Sequence, residues 1–161
     1  MTNRRLRYVY VSTATLLLFC GCGNPIGAVP ASGRVMYDGQ PVTDANILYL
    51  RDNSTDESGP SALGRTDASG RYALQTNQYE GAVPGTYVVI VSKDNSETLG
   101  IPDPLPPGKT RTDWLQSQNL VPKSVLPIVY ADPTGSPLRF EVTTNKTENH
   151  FEILLEGEPP E

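Results

Sequence analysis

Prolines and glycines interrupt this chain so often that no long helix fits between them. The 161 residues include 15 prolines and 14 glycines, more than average usage, and proline breaks a helix because it lacks the N–H and clashes with the preceding turn. Between these breaks, apolar residues alternate with polar ones, as in a strand with one buried face. Such runs lie at residues 35–37, 45–49, 72–74, 87–91, 138–142 and 151–155. We therefore expect an all-β fold of about seven strands in two facing sheets.

Turn residues suggest how these strands are joined. Asp67–Gly70 predicts a tight hairpin turn with Gly70 at positive φ. The turn would join a strand at Leu63–Thr66 to a second strand at Arg71–Gln75, whose Tyr72 and Leu74 side chains point into the core. Residues 145–149 are likewise predicted to turn between the last two strands. The run at 87–91 is apolar on both faces, which predicts a central strand or one partly covered by loops.

Residues 93–127 form a proline-rich insertion in this pattern. Prolines exclude regular structure from most of it, and Thr112 is the expected N-cap of one short helix over 112–116. The only tryptophan, Trp114, has two interpretations. In the first, it forms an aromatic platform with Tyr130 that binds a sugar or peptide. In the second, which we favour, it packs against a sheet and holds the insertion there.

The first 21 residues resemble an export signal. Arg4, Arg5 and Arg7 precede an uncharged stretch from Tyr8 to Phe19, and a positive start followed by a short apolar segment is typical of secretory signals. The stretch is about a dozen residues long, whereas a spanning helix needs about 20. Cleavage is therefore expected.

The cleavage site resembles the lipobox of bacterial lipoproteins, in which a small residue precedes an invariant cysteine. Gly21 precedes Cys22, although Phe19 stands where leucine is usual. The resemblance implies removal of residues 1–21, lipid attachment to Cys22 and a short uncharged tether over 22–31. Gly23, which is not acidic, favours the outer membrane by the same resemblance. The alternatives are ordinary secretion or a Cys20–Cys22 disulfide, whose geometry cysteines two apart rarely meet.

The charge of the mature chain limits its partners. Residues 1–21 contain three of the 13 basic residues and none of the 18 acidic ones, which leaves ten basic residues against 18 acidic, a net charge of −8. Nucleic acids and anionic lipid headgroups bind basic patches. We therefore expect neither as a partner.

Several strand-and-turn motifs together resemble one family. They read SGRVMYDGQPVTDANILY from residue 32, GRTDASGRYAL from 64, GAVPGTYVVIV from 81, and SPLRFEV from 136. In this order they are similar to the carboxypeptidase regulatory-like domain, a transthyretin-like (prealbumin-like) β-sandwich common in small bacterial lipoproteins. The resemblance covers residues 32–156. It implies a fold but says little about function, because the family is a scaffold with few assigned activities.

Few residues offer catalytic or metal-binding chemistry. His150 is the only histidine. It follows Asn149 and points away from Phe151, and we interpret it as a solvated residue at a strand edge, since no partner for a Ser-His-Asp site can be assigned. Enzymes on related folds bind zinc or iron through two or more histidines. We therefore predict no enzymatic activity and no cofactor.

Calcium is the best metal candidate, at Asp52, Asp56 and Glu57 in the loop before Pro60. Their spacing does not match an EF-hand, and acidic loops more often serve solubility.

We expect a non-enzymatic, lipid-anchored protein of the cell envelope that binds another envelope protein or a glycan through 93–127 or an exposed sheet edge. The alternative is an accessory subunit of a separately encoded envelope hydrolase.

Overall fold

The computed structural model describes residues 24–52 and 59–160, which contain ten strands in two sheets. The four-stranded sheet consists of β1 (Ser32–Tyr37), β2 (Gln40–Pro41), β5 (Arg71–Ala73) and β10 (His150–Leu155). The six-stranded sheet consists of β3 (Asn46–Arg51), β4 (Ala62–Arg65), β6 (Gln75–Thr76), β7 (Tyr79–Glu80), β8 (Gly85–Ser92) and β9 (Arg139–Val142). The prediction of an all-β fold with two sheets is confirmed, but the described residues contain ten strands instead of about seven, three of which have only two residues. Helical structure is limited to α1 (Arg111–Ser117) and to 3-10 turns at Ser96–Thr98 and Ile128–Ala131.

Strand order places β3 and β8 inside the larger sheet, each between two neighbouring strands. That sheet has the order β7-β6-β4-β3-β8-β9, and all its neighbours are antiparallel. In the smaller sheet β1 pairs with β10, β2 and β5; the β1–β10 pair is parallel and the other two are antiparallel. The β8 side chains Val88 and Ile90 are buried on the face opposite to the core. This burial agrees with the prediction of a central strand or one partly covered by loops.

The core lies between the sheets and is built from the predicted alternating residues. Buried members include Ile47, Tyr49, Tyr72, Leu74, Tyr87, Val89, Val91, Phe151, Ile153 and Leu155. Tyr49 is fully buried, and its ring contacts the rings of Tyr72, Tyr87, Phe140 and Phe151. Phe140 is only half-buried. Aromatic clusters of this kind contribute both apolar burial and favourable ring geometry.

A tyrosine pair joins the two sheets. The hydroxyls of Tyr49 on β3 and Tyr72 on β5 are hydrogen-bonded at 2.8 Å inside the core. Burial raises the pKa of both tyrosines, so both remain neutral. Each hydroxyl is thereby the hydrogen-bond partner of the other in a place that excludes water, and buried polar groups require such partners.

The chain around Asp67 reverses as predicted, but the return strand changes sheets. The Asp67 carboxylate accepts hydrogen bonds from the backbone N–H of Ser69 and Arg71, and Gly70 has φ of 75°. However, β5 pairs with β1, and only after Leu74 does β6 pair with β4. The predicted turn is therefore present, but the prediction that Arg71–Gln75 forms a hairpin with Leu63–Thr66 is wrong. Turn chemistry dictates a reversal, whereas the pairing partner is chosen by tertiary packing.

The last two strands also lie in different sheets. β9 pairs with β8 in the larger sheet, and β10 pairs with β1 in the smaller one. Asn149, which is 2% exposed, fixes the crossing: its amide accepts from the Thr143 N–H and donates to the Thr143 carbonyl, each at 2.9 Å. Residues 145–149 thus cross between sheets instead of closing the predicted hairpin.

The described part of the predicted tether is attached to the sandwich. Val29 forms an antiparallel bridge with Ala82, with hydrogen bonds of 2.8 and 3.0 Å, and Ala31 is buried in the core. Gly81 has φ of 95°, and a Cβ there would meet the Val29 carbonyl oxygen at 1.8 Å. Only glycine permits this approach. The chain is therefore held from Val29 onward, while Cys22 and the predicted signal lie outside the described residues.

Candidate binding surface

The insertion begins where β8 ends and is closed at its base. An antiparallel bridge joins Asp94 to Ser124, and the backbone N–H of Asn95 donates to the Lys123 carbonyl at 3.0 Å. The Asn95 side chain accepts a further bond from the Lys123 N–H at 2.9 Å. We call this bridge the neck. It holds both ends of the insertion at one place on the sandwich.

Helix α1 begins earlier than the sequence suggested. Its N-cap is Thr110, whose hydroxyl accepts from the Asp113 N–H at 3.1 Å, while the Asp113 carboxylate accepts from the Thr110 N–H at 2.9 Å. These reciprocal bonds are a capping box, which satisfies two backbone donors instead of one. The assignment of Thr112 as N-cap is therefore wrong. The T-x-x-D spacing was the sequence signal for the correct cap.

Two arginines hold the insertion in place. One joins it to the larger sheet, and the other joins α1 to the first 3-10 turn, through contacts among Asp44, Arg65, Ser96, Glu97 and Arg111. Arg65 on β4 pairs with Asp44 at 2.9 Å and approaches Glu97 of the first 3-10 turn at 3.8 Å. Arg111 of α1 donates to the Ser96 hydroxyl at 2.7 Å. We call this group the clasp. Its ion-paired side chains are about half exposed, so each ion pair contributes little stability; the clasp serves mainly to orient the insertion. Sequence reasoning did not identify it because its members are far apart along the chain.

Asp94 adds a negative charge to the neck. Partial desolvation alone would raise its pKa, but hydrogen bonds from Ser96 and the positive charge of Arg111 outweigh this effect, so the pKa of Asp94 lies below its usual value. The backbone N–H of Ser96 donates to its carboxylate at 2.8 Å. The neck therefore carries a stable negative charge at neutral pH.

An open cleft of about 530 Å³ lies within the insertion, bordered by the clasp. Its wall is formed by the stretch 101–105, which contributes Ile101, Leu105 and two prolines, and its polar side by Glu97, Asp103 and Arg111. The lining is about equally polar and apolar, and the volume lies within the usual range of ligand sites. Long loops with their own structure are also commonly functional.

The two residues of the predicted aromatic platform have different surroundings. Tyr130 is buried in the core, 8% exposed, and its hydroxyl bonds with the backbone of Glu156. Trp114 lies half-buried on α1. Within the described residues, no aromatic ring pairs with that of Trp114. Tyr130 therefore has no free face for a ligand, and Trp114 remains as a single ring on the insertion.

The calcium candidates are only partly described. Asp52 forms an ion pair with Arg139 at 3.3 Å, while Asp56 and Glu57 lie outside the described residues. Over residues 24–52 and 59–160, no group of three His, Cys, Asp or Glu side chains is arranged to hold a metal ion.

His150 is exposed at the start of the edge strand β10. Its Nδ1 lies 3.2 Å from the Ser32 hydroxyl, and its Nε2 lies 3.9 Å from the Glu152 carboxylate. The order serine, histidine, carboxylate is that of a catalytic triad, but here the carboxylate is beyond hydrogen-bond distance and both side chains are about 60% exposed. A triad requires a buried acid that holds the imidazole. The sequence did not predict this contact with Ser32, because only the parallel β1–β10 register places the two residues side by side.

No protein-family model matches the chain, no curated protein is detectably similar in sequence, and no solved structure matches its fold. Along the described ranges, no helix has the length and apolar character needed to cross a membrane.

Proposed function

We propose that this protein is a bacterial envelope lipoprotein with a transthyretin-like, carboxypeptidase regulatory-like sandwich. Lipid on Cys22 holds it on a membrane, with the outer membrane favoured, and the insertion 93–127 binds an envelope protein or a glycan. The protein is non-enzymatic in this proposal. The motifs between residues 32 and 142 support the fold assignment, and the Gly21-Cys22 cleavage site supports the anchor.

The observation that carries this proposal is that Val29 and the neck lie at opposite ends of β8. Val29 bridges Ala82, just before β8 begins at Gly85, whereas the neck follows directly on its end at Ser92. Eight strand residues span about 25 Å. Only six residues lie between Cys22 and Val29, and the seven steps from one Cα to the other reach at most about 25 Å. A lipid on Cys22 would therefore hold one end of the sandwich near the membrane and present the insertion away from it.

Mass spectrometry of the membrane-extracted protein tests the anchor. We expect a chain that begins at Cys22 with a diacylglycerol thioether on its sulfur. A Cys22→Ala variant should accumulate as an unprocessed, unlipidated precursor, whereas Cys20→Ala should mature normally because Cys20 leaves with the signal. A soluble mature chain that begins elsewhere would reject the anchor.

Site-specific photo-crosslinking in intact cells tests the binding surface. A crosslinker placed at Leu105 lies in the cleft, and one at Leu63 lies on the exposed face of the larger sheet. We expect a discrete adduct from Leu105 and none of the same mass from Leu63. Identical adducts from both positions, or none from Leu105, would reject the insertion as the binding surface. A hydrolase in the Leu105 adduct would indicate the accessory-subunit role.

Excision of the insertion separates binding from folding. Asn95 and Lys123 are hydrogen-bonded neighbours at the neck, so a short Gly-Ser link can replace residues 96–122. This variant should still fold and reach the membrane. Thr43 lies next to the neck, because its carbonyl accepts a hydrogen bond from the Lys93 ammonium at 2.7 Å. The variant should lose the partner that a crosslinker at Thr43 captures in the intact protein.

A further inference from the structure

Strand β10 is the longest sheet edge in the part of the chain that the structure describes. It has six residues and pairs only with β1. The other edge strands are shorter: β2 and β7 have two residues, β5 has three, and β9 has four and follows Pro137. Short edges and nearby prolines protect proteins from unwanted pairing. β10 contains neither proline nor lysine, and this protection is missing there.

The hydrogen-bond directions show which backbone groups of β10 are open. The Ser32 N–H donates to the Asn149 carbonyl, and the Asp38 N–H donates to the Leu155 carbonyl, so the odd-numbered residues face β1. In a strand, successive residues direct their backbone groups to opposite sides. His150, Glu152 and Leu154 therefore direct theirs away from the sheet. Within residues 24–52 and 59–160, these groups have no hydrogen-bond partner.

Both ends of β10 are fixed, so the open edge is already ordered. Asn149 holds its start through Thr143. At its end, the Tyr130 hydroxyl accepts from the Glu156 N–H at 3.1 Å and donates to the Glu156 carbonyl at 3.2 Å. Glu156 is the next residue whose backbone groups point away from the sheet, and both of these groups are hydrogen-bonded to the Tyr130 hydroxyl. The open edge therefore ends at Leu154. A segment that pairs with residues 150–154 would therefore order itself on an extended template without rearranging it.

The side chains along this edge define the chemistry of the segment. Glu152 is 58% exposed. Arg34 on β1 lies opposite it in the register but donates its Nε–H to the Ser69 carbonyl, and the His150 imidazole lies 3.9 Å from the Glu152 carboxylate. Leu154 is 63% exposed and lies beside Met36 on β1. Residues directly opposite in adjacent strands interact, and opposite charges stabilise such pairs. A matching segment therefore carries Lys or Arg opposite Glu152 and an apolar side chain opposite Leu154.

We propose that β10 binds an extended, basic segment of another protein by antiparallel strand addition, with a cation opposite Glu152. The backbone groups of residues 150–154 supply the hydrogen bonds, as in other strand-addition complexes, and antiparallel bonds are the better aligned. A second copy of this chain fits less well, because β10 contains no Lys or Arg to oppose Glu152. This surface is separate from the insertion and does not depend on the anchor.

Fluorescence polarisation with a synthetic probe tests the proposal on the protein as isolated from cells. The probe is a nine-residue alternating Thr/Val peptide with Lys at its centre and Leu two residues before it, and its control has Glu at the centre. We expect the Lys peptide to bind at least ten-fold more tightly than the Glu peptide. Glu152→Pro should abolish binding, because it removes an open N–H that the fold itself does not use. Glu152→Gln should keep binding but lose the preference for Lys.

Hydrogen exchange on the unaltered protein provides a second readout that does not depend on how the proline variant folds. Addition of the Lys peptide should slow exchange at the amides of His150, Glu152 and Leu154, and leave β2 and β7 unchanged. Binding that survives Glu152→Pro, an absence of both binding and protection, or equal protection at all edges would overturn the proposal. Self-association that Glu152→Pro abolishes would assign the edge to a second copy and would also overturn it.

Discussion

The sandwich and the insertion are stabilised in different ways. In the sandwich, residues from distant parts of the chain meet in one core, as Tyr49 does with Tyr72, Tyr87, Phe140 and Phe151. In the insertion between Asp94 and Ser124, Leu115 is the one buried apolar side chain, and structure depends mainly on a capping box, a backbone neck and an exposed clasp. Burial of apolar surface is the dominant stabilising effect, and exposed polar contacts add little. We therefore expect the insertion to change or loosen without unfolding the sandwich.

The largest effect should come from Tyr49→Ala, which empties the centre of the core. Loss of a fully buried aromatic ring costs about 3–5 kcal/mol, a large part of the roughly 5–15 kcal/mol that a domain has. Phe140→Ala should cost less, about 2 kcal/mol, because Phe140 is half-buried. Leu63→Ala, at a 60% exposed position, is the control and should stay within about 0.5 kcal/mol. Chemical denaturation of each variant measures this order, and equal costs for Tyr49 and Leu63 would contradict the core assignment.

The hydroxyl pair that joins the sheets should show a smaller, non-additive effect. Tyr49→Phe leaves the Tyr72 hydroxyl buried without its 2.8 Å partner, which costs about 1–3 kcal/mol. Tyr72→Phe should behave similarly. The double variant should be more stable than the sum of the two costs suggests, because no polar group is left unsatisfied. Additive losses in this double-mutant cycle would mean that the hydroxyls do not interact.

Thr110→Ala tests whether loss of local structure stays local. Removing the N-cap should destabilise α1 by about 1 kcal/mol and speed amide exchange in that helix. The global unfolding midpoint should not change. Thr112→Ala is the matched control, because that side chain does not cap the helix. A larger effect at Thr112 than at Thr110 would contradict the observed cap.

Acid should loosen the insertion before it unfolds the sandwich, because the sandwich, whose Asp67 carboxyl also has a lowered pKa, keeps its apolar core. Hydrogen bonds from Ser96 and the charge of Arg111 lower the pKa of Asp94 despite partial desolvation, and hydrogen bonds from Thr110 lower the pKa of Asp113. Because both folded-state values lie below that of the unfolded chain, near about 3.9, their contribution is present above about pH 4. It is lost as the pH falls further, through the folded-state values.

Trp114 reports this step, since it is the only tryptophan and lies on α1. Its fluorescence should change below about pH 4 before the circular dichroism of the strands does. Asp94→Asn should reduce the transition, and Asp94→Asn with Asp113→Asn should remove it. Simultaneous loss of both signals would mean that the insertion and sandwich unfold as one unit.

Alternating residues by themselves determined most of the core. Period-2 runs such as Tyr87/Val89/Val91 identify their buried face directly, because successive strand side chains point to opposite sides. The turn at Asp67 and the positive φ of Gly70 are also local properties, which residue type predicts. The helix cap is local as well, since the spacing of Thr110 and Asp113 indicates a capping box and Thr112 lacks an acidic residue at the matching position.

Only the tertiary structure decided which strands pair. The sequence around Asp67 and residues 145–149 specifies reversals, but β5 and β10 both join β1, where Tyr72, Phe151 and Ile153 pack in the core between the two sheets. The clasp likewise depends on residues far apart in the chain, such as Asp44 and Arg65. The open edge of β10 has the same origin. Alternation determines which side chains face inward, whereas the position of a strand at the edge or in the centre of a sheet depends on long-range packing.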